Sequence, residues 1–285
     1  KLAFMLFSGE IGTRFSLSGH KFWINYNYTN YREHVNQSVV QYAPYDTLRF
    51  NGDLAFDYFR GHSTSIKYKF EKIKPVFLKN MFPSNGFVVN ANMGYEWNNF
   101  MDGFGVNEEY STFGANFTPH NTYRFTFDGK CHFTLNQSKR WVSSLGTQLG
   151  WLSNNEVDNF FHFFSGGLPG LKGYTFYNEE LTGARQIIIT SETRIPIFLD
   201  KNYTFAHLNI QNMSMGMVVQ TGGSFNNQFS EFIEENNYKF SAGLELRIYG
   251  FSFYAYPTAL EYEYHQAVND SEELGKHYLS LLFGF

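Results

Sequence analysis

Apolar and polar side chains alternate along most of this chain. Residues 48–58 place Leu48, Phe50, Gly52, Leu54, Phe56 and Tyr58 on one side, and Arg49, Asn51, Asp53, Ala55 and Asp57 on the other. Residues 87–97 set Phe87, Val89, Ala91, Met93, Tyr95 and Trp97 against Val88, Asn90, Asn92, Gly94 and Glu96. Residues 123–135 repeat the pattern, with Tyr123, Phe125, Phe127, Cys131 and Phe133 opposite Arg124, Thr126, Asp128, Lys130 and His132. A period of two belongs to extended strands, whose successive side chains point to opposite faces. The recurrence at three and four residues that a helix needs is missing from these windows.

The pattern predicts strands at roughly 1–8, 10–17, 20–32, 46–60, 62–77, 85–100, 108–118, 121–135, 139–153, 183–198, 203–222, 237–249, 251–265 and 276–285. Turn chemistry falls between them at Ser18-Gly19, Gly61-His62, Pro83-Ser84-Asn85-Gly86, Pro119-His120-Asn121 and Asn136-Gln137-Ser138. Longer polar connections occur at 34–45, 154–165, 225–236 and 266–275. Short turns at one end and long loops at the other are how membrane barrels are organised.

Composition says which solvent meets the apolar face. Mean hydropathy is −0.35, as for many water-soluble proteins. Aromatics nevertheless make up 20% of the chain, with 33 Phe, 20 Tyr and 4 Trp. Membrane barrels carry such rings on the lipid face and in interfacial girdles. No stretch is long and apolar enough for a transmembrane helix. Several predicted strands exceed the roughly 9–11 residues that a tilted strand needs to cross a bilayer. The expected class is all-β: an antiparallel transmembrane β-barrel, with about fourteen strands recognisable here. It forms a single domain over residues 1–285, with the lipid bilayer as its first partner.

The net charge of −4 and the lack of a basic stripe argue against nucleic acid as a partner. A lone Cys131 excludes an intrachain disulfide. The chain begins at Lys1 without a visible signal peptide and reads as a mature or partial product.

One segment breaks the alternation. Residues 163–174, FFSGGLPGLKGY, hold Gly166, Gly167, Gly170, Gly173 and Pro169. A flexible external loop would account for the glycines. Leu168, Leu171 and Tyr174 point instead to a loop folded back into the lumen, where glycines permit close backbone approach.

Gly166-Gly167, then Leu171-Lys172-Gly173-Tyr174, then a strand with Glu192-Thr193-Arg194-Ile195-Pro196 resembles the BamA/TamA/FhaC superfamily of outer-membrane barrels, the bacterial surface antigen family. The resemblance covers roughly residues 139–285 and suggests a divergent branch. It implies sixteen strands in the full protein and an inward loop at about 154–182, with five strands after it. The loop tip is Lys172-Gly173-Tyr174, with lysine where the family has arginine. The docking wall is Glu192 and Arg194, followed by Gln220 and Gly222, where glutamine replaces the family's aspartate. A lysine is a point charge, whereas an arginine fork asks for a bidentate carboxylate. The expected contact is therefore Lys172 with Glu192, with Gln220 as a neutral hydrogen-bonding neighbour. Tyr278, Ser280, Phe283 and Phe285 fit the terminal insertion signal, with Ser280 in place of a glycine.

The resemblance further implies an outer-membrane location in a Gram-negative bacterium and a weak seam between first and last strands. It implies action on unfolded outer-membrane or exported polypeptides, accessory lipoproteins or periplasmic subunits as partners, and periplasmic domains upstream of Lys1. A passive channel or structural barrel is the alternative. Enzymatic signatures such as GxSxG or HExxH do not occur, and the nine histidines lack ligand spacing. Ser144, His132 and Asp128 could form a rim triad, but nothing in their spacing favours it. No catalytic residue, metal or cofactor is expected.

Overall fold

In the computed structural model, residues 2–42, 47–77, 82–107, 112–138, 140–234, 238–253, 256–270 and 272–283 are described. The chain is an antiparallel meander. It begins with β1 (Leu2–Leu17), β2 (His20–Tyr42), β3 (Thr47–Phe77), β4 (Phe82–Asn107), β5 (Thr112–Asn136) and β6 (Trp141–Leu152). A long loop follows, in which β7 (Phe163–Phe164) and β8 (Thr182–Gly183) pair only with each other. The meander resumes with β9 (Arg185–Phe198), β10 (Tyr203–Phe205), β11 (Leu208–Phe225), a short helix α1 (Phe229–Glu234), β12 (Lys239–Ser252), β13 (Tyr256–Ala267) and β14 (Lys276–Phe283). The wall runs β1-β2-β3-β4-β5-β6-β9-β11-β12-β13-β14, with β10 appended to β11. Five wall strands therefore follow the loop. Among the described residues β1 pairs only with β2 and β14 only with β13, so the sheet keeps two free edges.

The number of strands is the expected fourteen, but the chain divides them differently. Over the described residues, 2–8 and 10–17 are one strand, as are 47–60 with 62–77 and 112–118 with 121–135. Gly61 pairs with Thr29 and Asn98, and Pro119 pairs with Asn99, so neither site is a turn. Pro83–Gly86 lies within β4, where the register against β3 shifts between Lys74 and Phe77. Residues 34–42 continue β2 rather than forming a loop. The physical reason is the same in each case. A neighbouring strand continues the ladder through each of these positions, and this outweighs local turn propensity. The turn at Ser18-Gly19 does form, with φ of 50° and 88° at its two central residues. That conformation matches the twist of a two-residue hairpin.

Alternation sorts the wall into two faces. Ile24, Ile66, Met93, Trp97, Tyr123, Leu145, Trp151, Met217, Leu244 and Leu279 are exposed on the outer face. Cys131 shares it and is exposed. Rings meet on this face across strands: Phe22 with Tyr68 at 5.1 Å, Tyr95 with Tyr123 at 4.6 Å, and His20 with Phe70 at 4.4 Å between centroids. Exposed rings in such numbers suit hydrocarbon and its interface rather than water. The inner face carries Asn25, Lys67, Asn92, Arg124, Lys130, Glu192, Glu245 and Glu263. The long loop touches both ends of the wall, with Phe160 on Tyr31 of β2 (6.1 Å between centroids) and Gly173 on Tyr278 of β14. A single loop can do this only if the sheet curls around it.

Candidate functional site: a loop docked on the inner wall

Residues 153–184 leave β6 and re-enter at β9. The loop begins with a 3-10 turn, Asn159–Phe161, capped by Asp158 Oδ1, which accepts from Phe160 N at 2.8 Å. Phe161 packs into a cluster with Phe59, Leu152, Val157 and Ala184. A second 3-10 turn, Glu179–Leu181, is capped by Asn178 in the same way. Leu171, Tyr174 and Leu181 are fully buried against Ile188 and Ala267. Each such side chain contributes roughly 1.5–3 kcal/mol by leaving water, so the loop is bound to the wall over its length.

Three glycines permit the fold of the loop. A Cβ on Gly166 or Gly170 would collide with the carbonyls of Thr175 and Ser165. Gly173 has a φ of +97°, and a Cβ there would lie 3.0 Å from the Ala267 amide nitrogen. Gly167 also has a positive φ, 77°. The sequence reading flagged these residues for close approach, and the tip does lie directly on the β13 backbone.

The backbone of the tip is read in detail. Gln220 accepts from Lys172 N at 2.9 Å and donates from Nε2 to the Gly170 carbonyl at 3.0 Å. A carboxylate could accept the first bond but could not donate the second, which gives glutamine a physical reason to stand here. Ser241 donates to the Lys172 carbonyl. Gly173 N donates to Tyr278 Oη at 3.1 Å. Tyr174 Oη donates to the Phe240 carbonyl at 2.8 Å and reaches Asn269 Oδ1 at 2.7 Å. Thr175 binds Glu273 through its N–H (2.7 Å) and its hydroxyl (3.0 Å), and Lys276 holds both Glu273 and Thr175 at 2.8 Å. Gly222 lies at the end of β11, paired with Ile188 and Lys239, with a φ of +140°.

The expected Lys172–Glu192 pair is not formed. Lys172 Nζ pairs with Glu263 of β13, which also accepts from His265 Nε2 at 2.8 Å. Glu192 is engaged elsewhere, by Lys130 at 2.7 Å and by Arg194. The reason is position: Gly173 sits on Gln266 and Ala267, so the lysine emerges over β13 rather than over β9.

Beneath the tip lies a buried ionic network. Lys130, Arg194, Arg247 and Lys172 face Glu192, Glu245, Glu261 and Glu263, so the charges balance. Arg194 Nε meets Glu245 Oε1 at 2.5 Å, and Arg247 meets Glu245 at 3.2 Å and Glu261 at 2.8 Å. Gly216 pairs with both Arg194 and Glu245, on either side of β11. A Cβ there would stand 2.5 Å from Glu245 Oε1, so a glycine in the middle strand lets β9 and β12 make an ion pair over it. Gly243 likewise makes room for the His265 ring. Three carboxylates, on Glu245, Glu261 and Glu263, converge within 4.8 Å. Arg194, Arg247 and Lys172 already pair with them, which leaves a cation little to gain.

Of the remaining expectations, Tyr278 and Ser280 face inward from β14, paired with Glu263 and Glu261. Phe283 pairs with Thr258 through the backbone. Phe285 lies outside the described residues. His132 and Ser144 are partners across β5 and β6, but Asp128 pairs with Gln148 further along and does not join them; Ser144 Oγ donates to Glu192 at 3.2 Å, while Asp128 accepts from Asn90 at 3.2 Å. Sequence reading missed Glu245 and Arg247 as partners of this site. Their signal was the alternation Glu245-Leu246-Arg247, which marks an inner face without showing what it meets.

No family model matches the sequence, and no curated protein matches it either. Among solved structures the chain is similar to BamA from Haemophilus ducreyi lacking POTRA domains 1–3, with a TM-score of 0.56 and 12% sequence identity. That match covers 99% of this chain and 54% of the other, so this chain spans about half the length of the structure it resembles. At this identity the likeness concerns the fold, and the fold is that of a BamA-like barrel.

Proposed function

We propose that this chain is a non-catalytic barrel of a Gram-negative outer membrane that assists insertion or export of polypeptides, with the docked loop supporting its inner wall. The observation that carries this reading is the placement of the loop tip. Lys172, Gly173 and Thr175 bind β13, β14 and the hairpin between them, next to one free edge of the sheet. An unpaired strand edge at membrane depth is costly, and an incoming strand would satisfy it. A loop that holds β14 from inside would keep that edge in register while its outer side stays available. BamA-like architecture adds a fold-level analogy to this argument.

The test is depletion of the protein followed by quantitative mass spectrometry of outer-membrane barrels. Several barrels should fall in abundance together; an unchanged census would overturn the reading. A passive channel is the second reading, favoured by a polar trough along the inner face of β1–β6. Swelling of proteoliposomes in sugar solution, with an unchanged census, would support it instead.

A further inference from the structure

The first half of the inner wall is open where the second half is filled by the loop. A cavity of about 580 Å³ lies on the inner face of β1–β6, within the range of small-molecule sites. A second, of about 450 Å³, shares Glu10, Asn25, Lys67 and Asn92 with it, so the two form one trough. Its floor has a regular origin. Trp23 pairs with Lys67, Lys67 with Asn92 and Asn92 with Thr126, giving one row across four strands. The next row holds Gly94 opposite Ser65, and these small residues leave the hollow.

Three properties narrow the ligand. The polar lining is dominated by amides and hydroxyls, which both donate and accept. The charged groups are already partnered, with Lys67 at 4.0 Å from Glu10 and Asp128 bonded to Asn90 at 3.2 Å. Trp23 lies on this polar face, with the Arg14 guanidinium over its ring at 5.1 Å from the centroid.

We infer that this trough binds a neutral oligosaccharide. Hydroxyls on a sugar ring both donate and accept, as the lining does. The ring also offers a flat C–H face for the indole, and it brings no charge to disturb the compensated ion pairs. An acidic glycan would meet Glu10 and Asp128. An extended peptide has the amide chemistry but no flat apolar face in its main chain. The inference goes beyond polypeptide handling and does not depend on it, since binding can be measured whether or not depletion alters the barrel census.

The experiment is isothermal titration of the whole chain, folded in detergent, with maltohexaose. Oligogalacturonate and a Gly-Ser hexapeptide are the comparison ligands. Maltohexaose should bind saturably, and Trp23→Ala should weaken it about tenfold, as loss of an aromatic contact does. Trp23→Phe should keep most of the affinity, Asn92→Ala should reduce it, and Trp151→Phe on the outer face should leave it unchanged. Each variant is first checked for folding by its mobility on an unheated gel; if Trp23→Ala fails that check, Trp23→Leu and Asn92→Ala carry the test, with the same loss expected. Absence of saturable maltohexaose binding to the folded protein would overturn the inference. So would affinity unaltered by removal of the Trp23 ring and of the Asn92 amide, or tighter binding of the peptide or oligogalacturonate.

Discussion

Lys172 and Gln220 show how two departures from a family pattern can be read at a single contact. The glutamine bonds a loop N–H and a loop carbonyl at once, and the lysine is left free to seek a carboxylate away from β11. It finds Glu263, which is nearly buried and shared with His265. A buried pair of this kind contributes specificity of placement more than net stability. Lys172→Met and Glu263→Gln should therefore be strongly non-additive, with a coupling of about 1–3 kcal/mol in a double-mutant cycle. Lys172→Met with Glu192→Gln, which share the network without touching, should show a distinctly smaller coupling. Urea unfolding followed by gel mobility measures both, and equal coupling for the two pairs would contradict the geometry.

The loop and the β13–β14 hairpin behave as one element because Glu273 joins them. Burial alone would raise its pKa. The hydrogen bonds from Lys276 and from the Thr175 N–H and hydroxyl favour the carboxylate more, so its pKa lies below the ordinary glutamate value. A carboxyl depressed in the folded state stabilises above its unfolded pKa, and that contribution is lost as pH falls through the folded one. A spin label at the exposed Tyr177 should thus be immobile at about pH 7 and gain a mobile component below about pH 4. In Glu273→Gln the label should already be mobile at neutral pH and respond little to acid. A label equally rigid at both pH values in the unmodified loop would show that other contacts hold it.

For the molecule as a whole, the division into two faces is the governing fact. Ile66 and Ser65 are neighbours in sequence but lie on the outer and inner faces of the wall respectively, as their exposure and their partners show. Arginine on the lipid face near the bilayer midplane costs about 2–4 kcal/mol, whereas on a hydrated inner face it is tolerated. Ile66→Arg should reduce the yield of compact, heat-modifiable barrel, and Ser65→Arg should not. Equal loss for both would mean that the faces are not in different solvents.

Period two, aromatic content and the break at 163–174 determined the class of fold, the faces of the strands and the place of the inward loop, because each is a local property of the chain. Strand boundaries were less legible. Gly61 and Pro119 carry turn chemistry, and only the hydrogen bonds of adjacent strands overrule it. The ion network was least legible of all. Glu192, Arg194, Glu245 and Glu263 are each visible as polar residues on an inner face, yet which cation meets which carboxylate depends on register across several strands. It depends also on a glycine, Gly216, that lets two side chains meet over the strand between them. Alternation is written in neighbouring residues. Pairing is set by packing among residues far apart in sequence, so the partner of Lys172 was decided by where the loop came to rest.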